Sequence, residues 1–423
     1  MTTHNSPRWG QSIITVALTL LVITVVLAIA SRFAPWEVPA GGIVIRSQPD
    51  LTHPFNPPEA NSPLIASRRS AVVVDERIRP RNVILVIGDG MGIGQFSTAS
   101  ALLHGPGGGL VIAEAPVTGL VSTHAGNELV TDSAAAATAM ATGFKVPKKA
   151  ISVLPDGSIP VTIFEAAQAI GMSTGVVTTS GLVDATPAGF TAHAEKREHY
   201  AEILEDMLAS RVDLLIGGDW THHGKSSRDA GFQEMLDRID ELGPQAGYTV
   251  VRDGNQLEAA RGPVLAVFPP RGHTADAHGP PLSDVVDFAV GRLGENDEGF
   301  ILLVETEVTD GTGHSNDLTG LTQGIRELDD AVAAILAWAE SRGDTLVLVT
   351  ADHDTGGLGI VDGDYDDGVA EVRWATGNHT GQWVPLFAFG PGSEYFNGVI
   401  DNTDIGILIA KLLRIEDFPA IHP

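Results

Sequence analysis

The chain contains no cysteine. Disulfide frameworks, thiolate zinc sites, iron–sulfur clusters and thiol nucleophiles are excluded together. Basic residues are also scarce: 26 Lys and Arg stand against 53 Asp and Glu in 423 residues, a formal net charge of −27. A nucleic-acid backbone needs Lys and Arg to meet its phosphates, so nucleic acid is excluded as a specific partner. Hydrophobic residues, at 43% of the chain, exclude a disordered protein and leave ample core for one large α/β domain or two average ones. The acidity is uneven. Residues 1–80 hold seven basic and five acidic residues, which leaves −29 on the remainder. Acid clusters such as Asp362-Gly363-Asp364-Tyr365-Asp366-Asp367 suit a saline habitat or simple solubility.

Charge is missing altogether from residues 9–31, and residues 13–30 are apolar apart from three threonines. Eighteen helical residues span ~27 Å, close to the hydrocarbon core of a bilayer. The stretch reads as a retained membrane anchor, or as a signal peptide cleaved after Ala28-Ile29-Ala30. Either reading implies export, with the folded part anchored on the periplasmic or extracellular side, or secreted. Residues 32–80, with Pro49, Pro54, Pro57, Pro58 and Pro63 among Asn and Ser, read as a linker, and residues 81–423 as the catalytic domain.

Beyond residue 81, apolar β-rich runs at 83–87, 173–179, 214–216, 300–304 and 345–350 alternate with helical patterns near 163–170, 200–210, 282–292 and 322–341. The alternation predicts an α/β fold, a mostly parallel central sheet with helices on both faces.

Several of these strands run into potential metal ligands: Asp89 in Gly88-Asp89-Gly90, Glu305, and Asp352-His353. A strand-end Asp is ordinarily a cap or turn residue, but three such ends could converge on one rim, since ligands of open parallel sheets bind beyond the carboxyl ends of strands. Asp310 and His314 stand at i and i+4, on one face of a helical turn, although Gly311 and Gly313 favour a loop folded round an ion. His379 sits in a turn before the apolar run 384–389. Carboxylates and imidazoles without thiolate suit zinc, and carboxylates with hydroxyls suit magnesium. Thr131-Asp132-Ser133 opens an alanine-rich run. Ser133 reads there as a helix cap, or as a nucleophile at the positive end of the helix that a metal must activate, because no Gly-x-Ser-x-Gly elbow surrounds it.

Five separated blocks resemble the alkaline phosphatases. They are Arg81-Asn82-Val83-Ile84-Leu85-Val86-Ile87-Gly88-Asp89-Gly90-Met91-Gly92, Val130-Thr131-Asp132-Ser133-Ala134, Asp184-Ala185-Thr186-Pro187 with His193 and Arg197, Glu305 through Asp310 to His314, and Thr350-Ala351-Asp352-His353 with Asn378-His379-Thr380-Gly381. The resemblance implies an alkaline-phosphatase-like fold and a site of two zinc ions and one magnesium. Asp310, His314 and His379 would hold one zinc, and Asp89, Asp352 and His353 the other. Asp89 would also bridge to a magnesium bound by Thr186 and Glu305. Ser133 would form a phosphoserine, Arg197 would grip the phosphoryl group, and Asp184 would orient magnesium-bound water. Small phosphate monoesters are the implied substrates, and a homodimer the implied assembly.

The sequence departs from the family at Gly311, after Asp310, and at Thr306-Glu307, after Glu305, which bears on the identity of the third metal. Two other activities compete: a phosphodiesterase or nucleotide pyrophosphatase, which Arg197 disfavours because its fork fills the space of a second substituent, and a non-catalytic phosphate- or metal-binding surface protein, which has no need of Ser133. His222, His223, His273 and His278 match none of the blocks and read as surface residues.

Overall fold

A computed structural model of the chain describes residues 72–218, 230–268, 279–364 and 368–423. Residues 9–31 and most of the 32–80 segment lie outside the described residues, as do His222, His223, His273, His278, Tyr365, Asp366 and Asp367. Among the described residues no helix is long and apolar enough to cross a membrane.

The strands, in chain order, are β1 (Asn82–Gly88), β2 (Val117–Ser122), β3 (Ser173–Gly181), β4 (Leu214–Gly218), β5 (Thr249–Val251), β6 (Val264–Phe268) and β7 (Phe300–Thr306). They continue as β8 (Thr345–Thr350), β9 (Asp354–Thr355), β10 (Gly359–Asp364), β11 (Val369–Arg373), β12 (His379–Thr380), β13 (Val384–Phe389) and β14 (Gly398–Asp401). Ten of them form one sheet in the order β14-β2-β13-β8-β1-β7-β3-β4-β6-β5. The five strands expected from apolar runs are its contiguous middle, β8-β1-β7-β3-β4, all parallel. Buried on both faces, β1, β7 and β8 have no exposed position to fill with a polar residue, which is why they read as unbroken Val, Ile and Leu. Among the described strands of this sheet, β13 alone runs against its neighbours, pairing antiparallel with β8 and β2.

Two groups of helices cover the sheet and pack on the same strands, β3 and β7, one group on each face. The first holds Leu282–Leu293 and the long helix Leu318–Glu340, which starts at Leu318 because the Asp317 carboxylate accepts from Thr319 and Gly320 N–H. The second holds Ser133–Thr142, Ile163–Ala169, Ala185–Thr191 and Asn402–Leu413. Ser133–Thr142 is buried on every side, and its alanines let neighbouring backbones approach closely. Each fully buried Val, Ile or Leu in these layers contributes about 1.5–3 kcal/mol relative to exposure.

The sheet register places the site. Ile87 of β1 lies level with Glu305 of β7 and Thr350 of β8. Asp89 and Asp352 therefore leave β1 and β8 two residues beyond that level, with Glu305 near the end of the adjacent parallel β7, on the carboxyl rim where open α/β sheets bind ligands. Gly90 turns the chain there at φ +70°, and a Cβ on it would stand 2.8 Å from Asp310 Cα. Only glycine permits both that turn and that approach.

Candidate metal centre and active site

Three acids and an imidazole meet on the rim. His353 Nε2 stands 3.1 Å from Asp352 Oδ2 and 3.4 Å from Asp89 Oδ1, all of them buried. The second Asp352 oxygen is fixed by Gly90 N–H at 3.1 Å and His353 N–H at 2.9 Å. Glu305 accepts from Thr178 Oγ1 at 2.5 Å.

Beside this group lies a second. Residues Val308–Ser315 form a helix, so Asp310 and His314 share one face and the expected loop gives way to regular structure. Gly313 is needed where the turn meets the neighbouring segment, since a Cβ on it would stand 2.9 Å from the Thr355 carbonyl oxygen, whereas Gly311 faces open space. Asp310 Oδ2 is 3.3 Å from His314 Nε2, and Asp310 Oδ1 is 3.4 Å from His379 Nε2. His379 belongs to β12, which pairs with β9 just after His353, and the His353 and His379 rings stack at 3.6 Å.

Ser133 is the first residue of its helix, not the cap. The cap is Asp132, whose carboxylate accepts from Ala135 N–H. Ser133 Oγ is thereby left to face His353 Nε2 at 3.3 Å. Arg197 approaches from the other side, with Nη2 2.8 Å from Asp184 Oδ1 and Nη1 3.5 Å from Asp132 Oδ2. Asp184 is held in turn by Ser180 Oγ at 2.9 Å and caps the helix that carries Thr186.

The electrostatics are those of acids crowded without a counter-charge. Burial, then repulsion from Asp352, pushes Asp89 well above the carboxylate range. Burial raises Glu305 to about 8 and Asp352 to about 6, and pushes Glu307 well up. Burial works to raise Asp310 too, but the His314 and His379 imidazoles outweigh it and hold that carboxyl well below its usual value. Asp310 in return lifts His314 to about 9. Among the buried oxygens without a hydrogen-bond partner are three at this rim: Asp89 Oδ1, Asp352 Oδ2 and Thr186 Oγ1. All three belong to the expected ligand set, and unpaired buried oxygens among repelling carboxylates fit divalent cations.

The structure gathers Asp89, Ser133, Asp310, His314, Asp352, His353 and His379 through direct contacts, and links Arg197 to Asp184. It also supplies residues that the sequence reading passed over. Asp132 shares Arg197 with Asp184, although its place beside Ser133 suggested only a cap. Thr178 holds Glu305, and Thr355 donates to Asp310. The buried Glu307 joins Asp89 and Glu305 in a third cluster of potential ligands. Its signal was its departure from the family pattern.

The family model described as alkaline phosphatase matches residues 80–369. Alkaline phosphatase 3 of Bacillus subtilis is 31% identical, over 79% of this chain and 89% of that one. Streptomycin-6-phosphate phosphatase of Streptomyces griseus is also 31% identical, over 82% and 95%. Among solved structures, the alkaline phosphatase of the Antarctic bacterium TAB5 aligns with a TM-score of 0.68 at 31% identity, covering 80% of this chain and 99% of that one. A mutant of the TAB5 enzyme aligns equally well and has magnesium bound in its M3 site.

Proposed function

The chain belongs to the alkaline phosphatase family and hydrolyses phosphate monoesters, and from that premise we propose that Ser133 is the nucleophile and that the surrounding acids and imidazoles hold two zinc ions and one magnesium. Asp310, His314 and His379 would hold the first zinc, and Asp89, Asp352 and His353 the second. Asp89, Thr186 and Glu305 would hold the magnesium, with Glu307 as an additional carboxylate. The bound metals would lower the pKa of the serine hydroxyl and of water, and neutralise charge on the phosphoryl and leaving oxygens.

The chain's own residues account for the rest. Ser133 Oγ attacks phosphorus in line, forming the O–P bond as the bond to the alcohol oxygen breaks. The alcohol departs and takes up a proton, and water then cleaves the phosphoserine to restore the serine and release inorganic phosphate. The positive end of the helix Ser133–Thr142 favours both the alkoxide and the bound phosphoryl group. Arg197, steadied by Asp132 and Asp184, presents a planar fork to two phosphoryl oxygens. Asp184 also caps the helix that carries Thr186, from where it would orient water on a bound magnesium.

The observation that carries this reading is Ser133 Oγ facing His353 Nε2 at a helix N-terminus, beside ligand oxygens that lack partners. Its test compares hydrolysis of a nitrophenyl phosphate monoester and the matching diester from about pH 7 to about pH 10, with Ser133→Ala as control. Monoester turnover that rises with pH and vanishes in the variant is expected. Preference for the diester would overturn the role of Arg197. The uncharged run at residues 9–31 supports export, with the enzyme anchored outside the membrane or secreted. Digestion by protease added to intact cells tests that placement.

A further inference from the structure

A fourth set of potential ligands lies apart from the three catalytic clusters. Glu165, His193 and His422 offer one oxygen and two nitrogens, all within 4.8 Å of one another. Glu165 Oε1 is 3.1 Å from His422 Nε2 and 3.4 Å from His193 Nε2, and the two rings meet edge to face with centroids 5.7 Å apart. The Glu165 carboxylate divides its work. Oε2 accepts from Thr162 N–H at 2.8 Å, in the capping box of Ile163–Ala169, which leaves Oε1 for the two imidazoles.

The tautomer of His193 sets the chemistry. Its Nδ1 lies 2.8 Å from the Ser152 carbonyl oxygen, which can only accept, so Nδ1 carries the proton. In the neutral ring Nε2 then turns a lone pair toward a carboxylate oxygen, and two acceptors face each other with nothing between them. A proton on Nε2 would also relieve this, but the 3.4 Å separation of His193 lies beyond the ~2.7–3.2 Å of an N–H···O bond, while the 3.1 Å of His422 lies within it. Ligands held tetrahedrally ~2.0–2.1 Å from a zinc ion stand ~3.3 Å from one another. Both separations match that edge. The same spacing recurs through the catalytic clusters, from the 3.1 Å of Asp352 and His353 to the 3.4 Å of Asp310 and His379.

We propose that Glu165, His193 and His422 form a further metal site, selective for zinc over magnesium, that clips the segment around His422 to the helix of Glu165 and to the strand-like turn of His193. Two imidazoles and one carboxylate are a zinc donor set, and magnesium prefers oxygen ligands alone. The backbone carbonyl behind His193 is the outer partner that metal-bound histidines use to fix their orientation. The clip has a mechanical setting. His422 N–H donates to the Ile159 carbonyl, Val161 N–H donates to the Ala420 carbonyl, and His193 precedes Arg197 by four residues in the same segment. Metal here ties residues 420–422 to the stretch that carries the phosphoryl-binding arginine, without touching the reacting atoms.

The test is zinc stoichiometry on the full chain, by equilibrium dialysis against a zinc buffer with excess magnesium present. The unmodified chain is expected to bind one more zinc equivalent than His422→Ala and Glu165→Gln, both of which leave the catalytic ligands in place. The glutamine keeps the capping oxygen, and His422→Cys, a thiolate ligand, should restore the lost equivalent. Circular dichroism confirms that each variant is folded, and His422→Gln replaces His422→Ala if that variant is not. Equal stoichiometry in the unmodified chain and the folded variants, or displacement of the extra equivalent by magnesium, overturns the proposal.

Discussion

His314 Nε2 and His379 Nε2 face each other across 3.2 Å, while the Nδ1 atoms of the two rings lie 2.8 Å from the Gly377 carbonyl and 3.0 Å from the Thr131 carbonyl. Those carbonyls accept the Nδ1 protons, so both Nε2 atoms are left to each other and to Asp310. A cation between them would satisfy all three groups at once. Dialysis against a chelator should abolish monoester hydrolysis, and added zinc should restore it. His379→Ala should weaken zinc retention by about 10-fold or more. Metal content and turnover measured on the same samples decide it, and full activity at zero bound metal would remove the ions from the mechanism.

Ser133→Ala should lower turnover by ~10³-fold or more, because the route through a covalent intermediate is lost. Substrate labelled in its phosphoryl group should leave an acid-stable label on the unmodified chain and none on the variant. The helix itself should persist, since Asp132 and not Ser133 supplies the cap.

Arg197 is partly buried between Asp132 and Asp184, and their carboxylates hold it firmly protonated despite the opposing effect of desolvation. Hydrogen bonds to charged groups contribute ~1.5–3 kcal/mol each. Arg197→Ala should therefore weaken competitive inhibition by inorganic phosphate by ~10–100-fold, and Arg197→Lys should recover only part of it, because a point charge cannot copy the fork. Inhibition constants for phosphate measure both. A lysine variant equal to the native enzyme would show that charge alone suffices.

Glu307 tests the third cluster. Buried beside Asp89 and Glu305, its carboxyl is pushed well up by burial and then by Asp184, a cost that a divalent cation would offset. Glu307→Gln removes the charge at nearly constant volume. Magnesium affinity, read by isothermal titration into zinc-loaded protein, should fall by ~10-fold or more if the carboxylate faces the ion. Unchanged affinity would leave Glu307 as a buried acid with no part in binding.

The middle of the sheet was legible because β8, β1, β7, β3 and β4 are buried on both faces and so carry continuous apolar runs. The antiparallel course of β13 was not, because apolarity records burial and not direction. The acids Asp89, Glu305 and Asp352 stood out because each follows such a run, and the parallel register then brings the ends of those runs together on one rim. Asp132, Thr178 and Thr355 were hidden, since caps and strand threonines look ordinary until the chain has folded. The helix at Val308–Ser315 was masked by two glycines, and the reason for Gly313 lies in a segment some forty residues away, at Thr355.

Lys145 couples the catalytic helix to the rest of the fold. Its ammonium, buried just past Ser133–Thr142, donates to the His124 carbonyl at 2.7 Å and to Asn402 Oδ1 at 2.6 Å, and pairs with Asp401 Oδ1 at 3.1 Å. Asp401 caps Asn402–Leu413, the helix packed on Ser133–Thr142. Lys145→Met leaves Asp401 buried without its cation, a loss of about 3–5 kcal/mol. Lys145→Met with Asp401→Asn should lose less than the two changes summed, because the second removes the stranded charge. Burial, only partly countered by Asp401, lowers the folded-state pKa of Lys145 below 10.5. As pH rises through that lowered value toward 10.5, the folded state sheds its proton first, so the unfolded state binds more protons and stability rises. The advantage of the native chain over Lys145→Met should therefore widen across that window and stay flat below it. Urea midpoints of the two proteins at matched pH values measure the difference, and a gap that narrows with rising pH would mean that Asp401 outweighs burial at this site.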